Sequence, residues 1–247
     1  MRYIKRMTEK NNIITIIPAR MGSSRFPGKP MAEINGKPMI GHVYERAKLS
    51  KIIRETFVAT CDSEIADYIH SIGGHVIMTS SSHERASDRT AEAMLKAETI
   101  IGKKVEIVVM VQGDEPMVTA DMIEKSIKPF KDIDVNVVNL MSKMETIEEF
   151  EDPNEPKVVV DINSNALYFS REPIPSRKKG VLDVPMYKQV CIIPFRRQAL
   201  LDFNGLPETE LERIESIDMN RILEHGGSVK MVLVGENPIS VDTKSDP

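Results

Sequence analysis

The first apolar run in the chain is IITII over residues 13–17, followed by similar short runs at 55–60, 76–78, 105–111 and 135–140. Their β-branched character and length predict strands, and unbroken stretches such as IVVMV read as strands buried on both faces. Between them, 39–50, 63–72, 89–101 and 120–130 place apolar residues at helical spacing. The Ser63-Glu64 start after Asp62 is an N-terminal signal for the second of these helices. Strands alternating with helices in this way predict an α/β fold built on a doubly wound, mostly parallel sheet through about residue 140.

The pattern changes at 152–196, where Pro153, Pro156, Pro173, Pro175, Pro185 and Pro194 punctuate short runs such as KVVVD and ALYF. Antiparallel strands suit this segment, as a small β insertion or a dimerisation arm. Helical spacing returns over 208–225 and stops at Gly226-Gly227, and 229–234 is a further strand candidate. The expected organisation is a leader over 1–12 and one domain over 13–247, with 152–196 as its β-rich subdomain.

The chain has 247 residues, of which 41% are apolar and 28% charged, an ordinary globular balance with room for one sizeable core. Its formal net charge of -4 argues against nucleic acid as a partner, so an anionic ligand must meet a local cluster of cations. The two cysteines, Cys61 and Cys191, lack zinc or disulfide spacing, which fits a cytoplasmic protein. The opening MRYIKRMTEK leads into too short an apolar run for a signal peptide or a membrane span.

Directly after the first strand, PARMGSSRFPGKP (18–30) gathers Arg20, Arg25 and Lys29 with Ser23, Ser24 and two glycines. Glycine lets backbone N–H groups approach phosphate oxygens and the cations supply charge, so the loop suits a polyphosphate. It is not a Walker A loop, because five residues separate Gly22 from Gly28 and Pro30 stands where Ser or Thr would hold magnesium. A second candidate lies where VEIVVMV ends in QGDEP: Asp114 and Glu115 emerge from a buried strand, a position suited to Mg²⁺, which bridges carboxylates to phosphates.

Together these strings resemble the 3-deoxy-manno-octulosonate (Kdo) cytidylyltransferases, also called CMP-Kdo synthetases, and the resemblance extends from Ile13 to Asp246. It implies a nucleotide-diphospho-sugar transferase-like fold. Arg20, Ser23, Arg25 and Lys29 fall on the family's P-A-R-x-x-S-x-R-x-P-G-K-P signature and are implied to hold the triphosphate of CTP, with Lys29 near the departing pyrophosphate. In VQGDEP, Asp114 is the implied metal ligand and Gln112 the implied sugar contact. ISVDTKSD resembles the family's G-V-D-T-P-E-D, which makes Asp242 the second metal ligand. MTSSSHERASDR (78–89) matches the base- and ribose-contacting segment, implying roles for Ser87, Asp88 and Arg89, while His83 reads as a loop residue. Arg171, in ALYFSREPIP, is an implied substrate-facing cation.

The sequence also departs from that family. Arg85-Ala86-Ser87 replaces Ser-Gly-Thr, Gln189 to Ile193 replaces a His-x-x-x-Tyr-like sugar-contacting stretch, and Asp218-Met219 replaces a Glu-Gln pair. Gln189 and Asp218 therefore mark an altered acceptor pocket, expected to use Kdo poorly and to take an acid with an amino or apolar substituent near Asp218 or Met219. The implied activity is Mg²⁺-dependent transfer of CMP from CTP to an acidic sugar, with 152–196 serving sugar binding or dimerisation. A homodimer, no membrane partner and a place in lipopolysaccharide biosynthesis are part of that expectation. A related acid or a phosphonate is the nearest alternative acceptor; a UTP- or GTP-dependent transferase and a non-catalytic CTP-binding regulator are the others.

Overall fold

The computed structural model describes residues 12–22, 26–180 and 183–235, which leaves the leader 1–11 and the site candidates Ser23, Arg25 and Asp242 outside the described residues. In chain order the elements are β1 (Ile13–Pro18), β2 (Glu33–Ile34), β3 (Lys37–Pro38), α1 (Met39–Ala47), β4 (Glu55–Thr60), α2 (Ser63–Ser71), β5 (His75–Met78), α3 (Ala86–Ile101), β6 (Ile107–Val111), α4 (Ala120–Ile127), β7 (Val138–Lys143) and α5 (Ile147–Glu151). They continue with β8 (Lys157–Val160), β9 (Ala166–Ser170), β10 (Tyr187–Val190), β11 (Ile192–Arg196), α6 (Arg197–Gly205), α7 (Glu210–Glu215), α8 (Met219–Glu224) and β12 (Lys230–Val234).

The first sheet has the order β11-β6-β1-β4-β5. Every residue of β1 is buried, because the sheet is covered on both faces. Ile14 and Ile16 face a cluster with Ala93, Met94 and Ala97 of α3 and Leu200 and Phe203 of α6. Ile13 and Ile17 face the other, with Ile40 and Val43 of α1, Ile65 of α2 and Met122 of α4. The chain runs outward from β1 through β4 to β5, then returns to place β6 on the other side of β1, both neighbours being parallel to it. The order reverses between β1 and β6, and α/β sheets form their ligand crevice at the carboxyl ends of strands that part there.

The expected strand at 135–140 starts at Val138 and leaves the parallel sheet. As β7 it joins a second sheet, β12-β7-β10-β8-β9, in which β12 is its parallel neighbour and β10 its antiparallel one. In its place the parallel sheet is completed by β11, antiparallel to β6, with Ile193 opposite Met110. The segment 152–196 thus feeds both sheets and shares their cores.

The other difference is in 208–225. This run is two short helices, α7 and α8, separated where Ser216 adopts a left-handed conformation at φ 54°. Apolar residues keep helical spacing across the break, although Leu211 and Ile214 of α7 are exposed while Met219 and Ile222 of α8 join the core, so periodicity alone conceals it.

Candidate active site

The β1–β6 crevice is lined by the two motif loops. After β1 the chain passes Ala19, whose N–H bonds the Ala59 carbonyl at the end of β4, and reaches Gly28 at φ 77°. Pro30 then fits the first turn of a 3₁₀ segment, Lys29–Met31. After β6, Gly113 passes so close to β1 that a Cβ there would lie 3.2 Å from the Pro18 carbonyl oxygen, which explains glycine between Gln112 and Asp114. This approach joins the loops: Lys29 Nζ donates to Asp114 Oδ2 at 2.7 Å.

Glu115, the neighbour of Asp114, has a different role. It is buried and accepts a hydrogen bond from the Cys191 N–H at 2.9 Å, while Gln112 N–H bonds the Cys191 carbonyl. Cys191 is where the chain steps from β10 in one sheet to β11 in the other, so Gln112 and Glu115 clamp that step. Burial, with the charge of Asp114 beside it, pushes the Glu115 carboxyl up to about 8, so it is mostly neutral at pH 7.

Two adjoining cavities, about 540 and 330 Å³, meet at Asp114 and share Arg85, Gln112, Asp114 and Arg171 as walls. The larger adds Arg20, His83 and Arg89. The smaller and deeper one adds Glu155, Gln189, Cys191, Ile193, Asp218 and Met219. Residues from opposite ends of the sequence are thereby brought to one cleft. Ser87 and Asp88 do not line it. Ser87 is buried, and its hydroxyl donates to Asp218 Oδ2 at 3.1 Å.

Arg89 borders the larger cavity but spends its donors on its own loop, on Thr79 Oγ1 and on the carbonyls of Ser80 and His83. From the other side Glu92 accepts from the Ser80 N–H and contacts His83 Nε2. Against the upward push of burial, these contacts and Lys96 bring the Glu92 carboxyl down to about 2. The loop 79–85 is held between two charges, and His83 is part of its fastening.

In the deeper cavity Arg171 is fixed by Nε to the Glu215 carbonyl at 2.6 Å and by Nη1 to the Pro153 carbonyl at 2.8 Å. Among the described residues its Nη2 makes no hydrogen bond, which leaves one donor edge for a ligand. Gln189 is nearly buried, and its amide N–H donates to Asn139 Oδ1 at 2.6 Å. Ile193 and Met219 belong to the core and present only their edges to the cavity.

Arg85, one of the residues that depart from the family pattern, borders both cavities. It donates to Asp218 Oδ1 at 2.9 Å and to Glu208 Oε1 at 2.5 Å, and lies 3.5 Å from Glu212. Both oxygens of Asp218 are therefore bonded by residues of the segment that departs from the family, so two changes some 130 positions apart meet in space. An amino substituent near Asp218 would have to compete with Arg85 for it. The helix break at Ser216 is what turns Ser216, Asp218 and Met219 into the cleft. Its sequence signal is a Ser and an Asp inside a helical run, both poor interior residues.

A family model described as cytidylyltransferase matches residues 14–232. The chain belongs to this family. It is 44% identical over 240 residues to the 3-deoxy-manno-octulosonate cytidylyltransferase of Thermodesulfovibrio yellowstonii, covering 94% of each protein. It is 40% identical over 240 residues to the 8-amino-3,8-dideoxy-manno-octulosonate cytidylyltransferase of Shewanella pealeana, covering 95% of each. Among solved structures, a CMP:2-keto-3-deoxy-manno-octonic acid synthetase complexed with CTP matches with a TM-score of 0.85 at 37% identity, over 94% of this chain and 93% of the other. For the cytidylyltransferase described here, the β1–β6 crevice is thus the place to seek nucleotide chemistry. No helix among the described residues is long and apolar enough to cross a membrane.

Proposed function

We propose that this chain transfers CMP from CTP to a Kdo-like 2-keto acid sugar and releases pyrophosphate. The observation that carries the reading is the Lys29–Asp114 contact, which ties a buried cation to the carboxylate that borders both adjoining cavities. The cavity bordered by Arg20 and Arg89 suits the nucleotide. The deeper one, with Arg171, suits an acid.

The reaction joins the anomeric hydroxyl oxygen of the acceptor to the α-phosphorus and breaks the bond from that phosphorus to the oxygen bridging to the β-phosphate. The hydroxyl proton is released and the electron pair leaves with pyrophosphate. No protein nucleophile is needed, so positioning and charge neutralisation carry the rate. Arg20 and Lys29 neutralise the triphosphate, and the free edge of Arg171 holds the acceptor carboxylate.

Magnesium belongs to the proposal. Among the described residues no three His, Cys, Asp or Glu side chains gather into a metal cluster. The donor chemistry nevertheless fits, because Asp114 borders the cleft and its Oδ1 carries no hydrogen bond among the described residues, which suits a Mg²⁺ otherwise ligated by phosphate oxygens. Asp114, with Asp242, would hold the ion, which supplies positive charge to the α-phosphate and acidifies the attacking hydroxyl. A cytoplasmic setting is supported by two free cysteines, and a homodimer by the exposed Ile162, Leu167 and Leu233 in and beside the second sheet.

Incubation with CTP and Mg²⁺ against a panel of acidic sugars, with pyrophosphate as readout, tests the function. Turnover is expected with Kdo-like acids and not with UTP or GTP; silence across the panel would remove the reading. Ile193 and Met219 put apolar edges into an otherwise polar cavity, and the Gln189 amide is committed to Asn139, so an acid with an apolar substituent beside those edges is expected to exceed Kdo in kcat/KM by roughly tenfold or more. Equal or better use of Kdo would show that neighbouring groups restore its contacts.

Lys29→Ala should both raise the KM for CTP and lower kcat, because the charge it offsets grows as pyrophosphate leaves. A change confined to the acceptor KM would place Lys29 elsewhere in the mechanism.

A further inference from the structure

The phosphate loop has a neck. Met21 accepts a hydrogen bond from the Gly28 N–H at 2.9 Å through its carbonyl, and donates its own N–H to Asp62 Oδ2 at 2.8 Å. Arg20 directly precedes this neck and Lys29 directly follows it, so the geometry at Met21 fixes how far apart the two cations stand. The Met21 side chain packs on the apolar cluster beneath, which leaves its backbone as the adjustable part.

Asp62 is well placed to hold that backbone still. It follows β4, and its own N–H bonds Oγ1 of the buried Thr60 at 3.1 Å. It occupies the N-cap position of α2, yet its side chain makes no capping bond. A capping carboxylate ordinarily bonds the free N–H groups of its own helix. Here it is given to a loop 41 residues earlier in the chain.

We propose that Asp62 is a positioning residue for the triphosphate: it latches Met21 and so presets Arg20 and Lys29 for the ligand. The role rests on the functional reading above, but it concerns phosphates alone. Two effects of this carboxylate oppose each other. Its charge disfavours a nearby polyanion, whereas its hydrogen bond spares the ligand the cost of ordering the loop. Preorganisation dominates, because the oxygen is bonded to a backbone donor at good geometry.

Two substitutions separate the effects. Asp62→Asn keeps an oxygen acceptor and removes the charge; Asp62→Ala removes both. Calorimetric titration with CTP and, separately, with inorganic tripolyphosphate is expected to show Asp62→Ala binding each at least about tenfold more weakly than wild type, with Asp62→Asn within about threefold. The acceptor KM of Asp62→Ala should stay within about twofold. The Met21 amide of the ligand-free wild type should also be protected from hydrogen exchange.

The latch is overturned by rapid exchange at Met21, by Asp62→Ala binding both ligands as wild type does or more tightly, or by equal losses toward CTP and acceptor with a lower melting midpoint. Wild type that binds tripolyphosphate but not CTP would remove the functional reading and leave the latch to be judged on tripolyphosphate.

Discussion

Asp114→Ala is expected to lower turnover by at least about 10²-fold while the protein stays folded, since a lost metal ligand costs several kcal/mol of transition-state stabilisation. The side chain stands just beyond β6, at the cleft wall, where it accepts from Lys29, so little of the core depends on it. The substitution also leaves the nearly buried Lys29 without that carboxylate. CTP affinity should therefore fall less than rate, or even rise, because a cation held by an acid becomes available to phosphate. Pyrophosphate release measured across a magnesium titration separates the two: a metal ligand's loss shifts the titration, whereas a purely structural change lowers rate at every concentration. Near-normal turnover in a folded variant would take Asp114 out of the metal site.

Glu212→Ala should have the largest effect on stability. Glu212 is fully buried and meets Arg221 through two bonds, Nε at 2.7 Å and Nη2 at 2.6 Å. Arg221 stacks over the Phe203 ring, its guanidinium carbon 4.6 Å from the centroid. Breaking a buried pair strands the remaining charge, at a cost of roughly 3–5 kcal/mol. For a chain of this size that is a fall in Tm of roughly 10 °C. Arg85 would lose a neighbour as well, so acceptor kinetics should weaken alongside stability. Urea unfolding gives the number, and a loss below about 1 kcal/mol would mean that water replaces the carboxylate.

What the sequence made legible followed burial. β1, β4 and β6 are apolar on both faces because α1, α2 and α4 cover one side of the sheet and α3 and α6 the other, and such strands announce themselves by composition. The phosphate and carboxylate loops were legible for a related reason: they must follow buried strands to reach the crevice. Sheet membership was not. β7 and β11 are both buried along nearly their whole length, and only long-range pairing assigns β11 to the parallel sheet and β7 to its neighbour. Nor does a local pattern show that Arg85 and Ser87 converge on Asp218, or that Asp62 turns from its own helix to Met21. Each depends on a contact between distant segments, which is where one chain read alone is weakest.

The outer edge of the second sheet bears on how this protein keeps company with its own copies. The N–H and carbonyl of Phe169 in β9 are both taken by the side-chain amide of Asn220, at 3.3 and 3.0 Å, and the N–H of Arg171 is taken by Glu215 at 2.7 Å. An unpaired strand edge is a template for another strand. Here that template is already written over by side chains from the α7–α8 region, so a second chain cannot continue the sheet past Phe169 without evicting Asn220. Pairing of two copies along β9 must therefore meet through side-chain surfaces, and Asn220→Ala, by freeing the Phe169 N–H and carbonyl, should raise aggregation measured by light scattering.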